Sequence, residues 1–304
     1  MRAARAAPAL AAVMLFAPMQ GDAAAPHHLY VRYHYEVRKD LSTYFTNSDE
    51  IIEVIRQALV DKDKSITITY TSDKDSMADF APIVRELFGF ALEETDTAYE
   101  GDYLSCHIGG YELSYTRTGE GEYDYSLVIT PTLYTTASQE GEITDEVRRR
   151  INSFGFDDST PDYEKVSKIY DYIYNNVAYD RVHKNNPHYH LKNTAYGALI
   201  YKRAVCQGYA AAMYRLLREA GVGCRVITGM AGGEGLAPEY HAWNIICIDG
   251  KWYNCDVTWD IQNGSHEYFL KSDAEFSDHT RDEKYTTDSF LSSYKTAAES
   301  YALP

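Results

Sequence analysis

The chain is 304 residues long, 45% hydrophobic and 24% charged, with a formal net charge of −16. This is a globular composition, with apolar material for one large domain or two modest ones. So acidic a chain, with no Lys/Arg cluster that stands out to override it, argues against nucleic acid as a partner, and no apolar run reaches the roughly 20 residues of a membrane-spanning helix.

Residues 1–25 read as a secretory signal peptide. Arg2 and Arg5 lead, Ala9 to Ala17 form a short apolar middle, and Ala23-Ala24-Ala25 supply an A-x-A end. The mature protein is therefore expected to be secreted or held at the cell envelope. Its charge would be −17, because two positive residues and Asp22 are removed.

Beyond it, Leu29–Val37 is strand-like. Ile51, Ile52, Ile55, Ala58 and Leu59 recur at helical spacing, and Ser65–Tyr70 alternates as a strand does. Met77, Phe80, Val84, Leu87 and Phe88 mark a second amphipathic helix. Tyr111–Arg117 and Tyr123–Thr130 flank Gly119-Glu120-Gly121 as a hairpin. Residues 26–136 thus form a small α/β-mixed unit without a catalytic constellation. The polar stretch Thr135–Thr144 is read as its boundary, and 137–304 as a second domain.

That second domain opens with Thr160-Pro161-Asp162, a helix start, followed by the buried stripe Val166, Ile169, Tyr170, Ile173 and Val177. Arg181–Lys192 loses periodicity and is a loop. Its His183, His188 and His190 have no carboxylate or thiol at a useful spacing and read as solvated. With no C-x-x-C or H-E-x-x-H either, neither a metal nor a cofactor is expected. The 28 tyrosines read as core and half-buried packing residues. The tail from Lys271 to Pro304 is a polar extension.

Five cysteines are present: Cys106, Cys206, Cys224, Cys247 and Cys255. An odd number in an exported chain leaves a candidate reactive thiol. After a short helix over Thr194–Lys202, the stripe Ala210, Met213, Tyr214, Leu217 and Ala220 places Cys206 at a helix N-terminus, with Gly221 ending that helix. There the free N–H groups and the dipole favour a thiolate, and such positions lower a thiol pKa to roughly 3.5–7.5.

Glu239–Ile248 and Lys251–Thr258 are strand-like runs joined by Asp249-Gly250, the pair that favours a two-residue type I′ turn. In that register 248 faces 251, His241 faces Thr258 and Trp243 faces Asp256. His241 and Asp256 then share one face as diagonal neighbours, about 7–8 Å apart at the backbone. A carboxylate accepting from one ring nitrogen leaves the other free to act. Asn254 lies on the same face as the reserve orienting residue, while Cys247 and Cys255 point to opposite faces.

Val205-Cys206-Gln207-Gly208-Tyr209-Ala210, Tyr240-His241-Ala242-Trp243-Asn244 and Trp252 to Asp260, preceded by Asn193 to Leu199, resemble the transglutaminase core family over about 160–270. The resemblance implies an α+β, papain-like core in which a catalytic helix packs on an antiparallel sheet. It also implies a triad of Cys206 as nucleophile, His241 as general acid/base and Asp256 as orienter, with the backbone N–H of Cys206 as an oxyanion donor. The expected chemistry is acyl transfer through a thioester from a protein, peptide or cell-wall peptide substrate, with hydrolysis of its amide bond favoured over cross-linking. Attack by water gives a peptidase or amidase, and attack by an amine gives transamidation. A non-catalytic binding module on the same scaffold is the reading from another class.

Overall fold

The computed structural model describes residues 48–72, 80–233 and 237–303. The proposed signal peptide, the strand over Leu29–Val37 and Met77 lie outside them. The described chain divides into two units: residues up to Glu93 together with Ile108–Leu133, and Glu94–His107 together with Tyr134 onward.

In the first unit, α1 (Ser48–Val60) and α2 (Phe80–Ala91) accompany a three-stranded antiparallel sheet. Its strands are β1 (Ile66–Ser72), β2 (Ile108–Glu120) and β3 (Glu122–Leu133), in the order β1-β3-β2. The register pairs Ile68 with Leu127 and Leu113 with Ile129, so alternate apolar residues share one buried face. Ile55, Leu59, Val84 and Leu87 are the buried stripes of the two helices.

The second unit is α+β. Between the two visits to the first unit, α3 (Asp102–Cys106) contributes to it. Then follow α4 (Ala137–Phe154), α5 (Asp162–Asn176), α6 (Ala195–Leu199) and α7 (Cys206–Glu219). The short strands β4 (Ala178–Tyr179) and β5 (Arg203–Ala204) pair in parallel. A four-stranded antiparallel sheet is ordered β8-β7-β6-β9 from β6 (Cys224–Ala231), β7 (Glu239–Ile248), β8 (Lys251–Cys255) and β9 (His279–Arg281). The last helices are α8 (Val257–Asn263) and α9 (Asp288–Ser293).

Helix α7 is buried on every side, from Gln207 through Leu217, which makes it the core helix of the unit. It packs on the sheet face that carries Ala242, Ile246, Ile248, Tyr253 and Cys255. Ile227, Trp243, Ile245, Phe276 and Tyr285 cluster on the opposite face.

Three features add to or depart from the sequence reading. The polar stretch Thr135–Thr144 follows directly on the passage between the units after Leu133, and most of it is the first half of α4, which starts with a capping box formed by Thr136 and Gln139. It is polar because this 18-residue helix buries only Ile143, Glu146 and Val147. The strand-like run after Asp249-Gly250 ends at Cys255, and Val257 onward is helical. Finally, Glu94–His107 belongs to the second unit, although both its flanks belong to the first.

That segment is tied in by buried polar contacts. Asp102 receives Arg225 Nε at 2.7 Å, Nη2 at 3.1 Å and the Val226 N–H at 2.8 Å. The fully buried His107 ring bonds the Tyr103 carbonyl through Nδ1 at 2.7 Å, and its Nε2 accepts from the Ala195 N–H at the start of α6. The Gln207 amide donates to the Cys106 carbonyl at 2.8 Å, anchoring the first turn of α7.

Candidate active site

Cys206 is the first residue of α7, and the preceding Val205 has extended backbone with no side-chain cap. The sharp entry is possible because Gly208 has no side chain. A Cβ there would lie 2.6 Å from the Lys192 carbonyl oxygen and 2.8 Å from the Ala204 Cβ. Lys192 is itself buried and donates to the carbonyls of His183, Lys184 and Asn186 at 2.6–2.8 Å, gathering the preceding loop into a fixed turn.

The β7–β8 hairpin has the expected register, from Ile248 opposite Lys251 to Asn244 opposite Cys255. Its turn places Asp249 and Gly250 at φ 52° and 74°, both left-handed as a type I′ turn requires. The ladder stops there, so Asp256 meets His241 as the N-cap of α8 and not as a strand neighbour. Asp256 Oδ1 accepts from the N–H groups of Thr258 at 2.9 Å and Trp259 at 3.2 Å. Its Oδ2 lies 2.7 Å from His241 Nε2.

Cys206 lies near enough to the imidazole and to the Ala242 backbone N–H for both to bias its thiol toward the charged form. Cys206 is half-buried, whereas His241 and Asp256 are buried at 7% and 1% exposure.

Burial alone would push the Cys206 thiol up, but the His241 charge and the hydrogen bonds from His241 and Ala242 outweigh it and hold the thiol below its ordinary value. Burial likewise opposes protonation of His241, yet the Asp256 carboxylate and the Cys206 sulfur raise it to about 10. Burial works against the charged form of Asp256 too. The charge and hydrogen bond of His241, with those of His279, hold it well below the usual carboxylate range. All three directions favour a thiolate–imidazolium pair backed by a carboxylate.

The other cysteines lie in different surroundings. Cys106, Cys224 and Cys255 are fully buried, and burial pushes their thiols up. None of the five cysteines is in a disulfide. Asn254, the reserve orienter, is engaged elsewhere. Its Oδ1 accepts from Trp243 Nε1 at 3.3 Å and Arg281 at 3.1 Å, and its amide donates to Asp273 at 2.8 Å. His183 lies 2.8 Å from an oxygen of Asp180, a carboxylate the sequence reading did not connect to it.

The residue that reading missed at this site is His279, on β9. Its Nε2 lies 3.2 Å from Asp256 Oδ2 and its Nδ1 lies 2.7 Å from Asp278 Oδ1. Nothing in its local pattern announces it, because a three-residue strand inside a polar tail carries no periodicity to read. Two ring nitrogens and a carboxylate oxygen of His241, Asp256 and His279 lie within 4.8 Å of one another, the one such set with metal-ligand spacing among the described residues. The two nitrogens already meet the shared oxygen in hydrogen bonds.

Residues 153–257, which contain Cys206, His241 and Asp256, match the transglutaminase-like superfamily. This segment is a transglutaminase-like domain. Kyphoscoliosis peptidase of Mus musculus and of Homo sapiens is 31% identical to the chain over 106 residues, covering 32% of this chain. The match spans only 16% of the length of those curated relatives. A crystal structure of a TGase aligns with a TM-score of 0.36 at 21% identity, covering 51% of this chain and 45% of that one. The transglutaminase-like segment thus contains a helix-start thiol, and an imidazole hydrogen-bonded to a buried carboxylate.

Proposed function

We propose that the chain is an exported cysteine-dependent acyl-transfer enzyme, with Cys206 as nucleophile, His241 as general acid/base and Asp256 as orienter. The observation that carries this reading is the His241–Asp256 pair at 2.7 Å together with Cys206 at the first residue of α7, its thiol held below its ordinary value by the His241 charge. In the cycle, the Cys206 thiolate forms a C–S bond to the carbonyl carbon of an amide. The tetrahedral oxyanion is received by the backbone N–H of Cys206, one of the helix-start donors without an intrahelical partner. As the C–N bond breaks, the His241 imidazolium gives its proton to the departing amine, leaving a thioester. Water then attacks, His241 takes its proton, and cleavage of the C–S bond releases the carboxylic acid and restores the pair.

Peptide or cell-wall amide bonds are the proposed substrates, with water as the acceptor. The peptidase name of the relatives that share this segment supports hydrolysis over transamidation. Export is supported by the charged, apolar and A-x-A sequence of residues 1–25.

The test is the iodoacetamide alkylation rate of Cys206 against pH, read by mass spectrometry in the parent and in His241→Ala. The expected result is a plateau extending below neutral pH in the parent and lost in the variant. Superimposed profiles rising only near the free-thiol pKa of about 8.5 would leave a binding module in place of an enzyme. Peptides incubated with and without a primary amine then separate the acceptors, since hydrolysis leaves a free carboxylate and transamidation leaves an amine adduct.

A further inference from the structure

We propose that His279 is a positioning residue of this site, a second imidazole that locks the Asp256 carboxylate so that its Oδ2 faces His241. The inference rests on the functional reading above and adds a member that lies outside the matched segment 153–257.

The geometry is that of a clamp. Asp256 Oδ1 is held by two backbone N–H groups at the start of α8, which leaves the other oxygen to be fixed. Oδ2 is flanked by His241 Nε2 at 2.7 Å and His279 Nε2 at 3.2 Å. His279 is fixed in turn through Nδ1 by Asp278 Oδ1 at 2.7 Å, and Tyr268 donates its hydroxyl to Asp278 Oδ2 at 2.6 Å. Both His279 nitrogens therefore face carboxylate oxygens, and the ring donates to both at once when each carries a proton.

The ring has no exposed surface. It stacks on Phe276 at 3.9 Å between centroids and lies 4.5 Å from Trp259 and 5.0 Å from Trp243. In such a water-excluded setting a hydrogen bond to a carboxylate is strong and directional.

The backbone is built to deliver this side chain. Strand β9 pairs with β6 over only three residues, Gly229 opposite Arg281 to Ala231 opposite His279. A Cβ on Gly229 would lie 2.0 Å from the Thr280 carbonyl oxygen, so β9 reaches its place only because position 229 lacks a side chain. Gly229 is also the register partner of His241 on the other side. One glycine thus sits between the strands that carry the two imidazoles.

The test uses the full chain with 15N-labelled histidine, reading the His241 Nε2–H resonance, its downfield shift and its exchange with water. His279→Leu keeps volume and removes both donors, and His279→Gln restores one donor. Phe276→Leu thins the packing on the same ring without touching a hydrogen bond. The expected result is that His279→Leu moves the resonance upfield and speeds its exchange on the order of tenfold. His279→Gln recovers part of this, and Phe276→Leu leaves the resonance in place. An unchanged resonance in folded His279→Leu, or an equal change in Phe276→Leu, overturns the proposal. Alkylation of Cys206 in the same proteins keeps the two questions apart. A parent without an activated thiol sinks the enzyme reading, while the resonance still decides the role of His279.

Discussion

The two carboxylate oxygens of Asp256 act separately, Oδ1 capping α8 and Oδ2 meeting the imidazoles. Asp256→Asn keeps a capping oxygen and removes the charge that holds His241 at about 10. Cys206 alkylation near pH 7 should then slow, by about tenfold for each unit by which the thiol pKa comes to exceed 7, which a rate-against-pH series measures directly. The same substitution should flatten the pH dependence of stability. His241 is raised above its ordinary 6.5, so its contribution is complete below that value and fades as pH rises through about 10. Asp256 is lowered below its ordinary 3.8, so its contribution is present above that value and fades as pH falls below it. Melting temperatures should therefore separate parent from variant most between about pH 4 and 6.5 and converge beyond both ends.

At the scale of the element, the β6–β9 pairing and the α3 segment make sharp predictions. Gly229→Val puts atoms where the Thr280 carbonyl stands, so β9 must lift away. Overpacking of this kind costs about 1–3 kcal/mol, and hydrogen exchange at 279–281 should rise with it while α7 stays protected. Asp102→Ala removes the carboxylate between Arg225 and the Val226 N–H, leaving a guanidinium only 11% exposed with Glu94 at 3.5 Å as its remaining carboxylate. Breaking a buried pair from one side costs about 3–5 kcal/mol, which urea unfolding would show as a lower midpoint at unchanged slope.

For the whole molecule, the sequence was most legible where local chemistry and structure agree. The Asp249-Gly250 turn set the hairpin register, and the apolar stripe of α7 placed Cys206 at its first residue. Legibility failed where long-range contacts decide. Helix α4 hides behind a polar sequence, β9 is too short to carry a pattern, and α3 joins the second unit through Asp102, Gln207 and His107, residues far from their partners in the chain. Residues 137–304 expressed alone should accordingly give a loosened fold with weak near-ultraviolet dichroism. They lack Asp102, the Cys106 carbonyl and His107. Adding a peptide of residues 94–107 should restore part of the signal.

Within the described residues the chain crosses between its units three times, after Glu93, His107 and Leu133. Recombination at any one of those junctions would therefore split at least one of the two bodies. The smallest heritable module that keeps Cys206 anchored is larger than the 153–257 segment by which it is recognised, and it carries the 108–133 hairpin with it as an obligatory passenger.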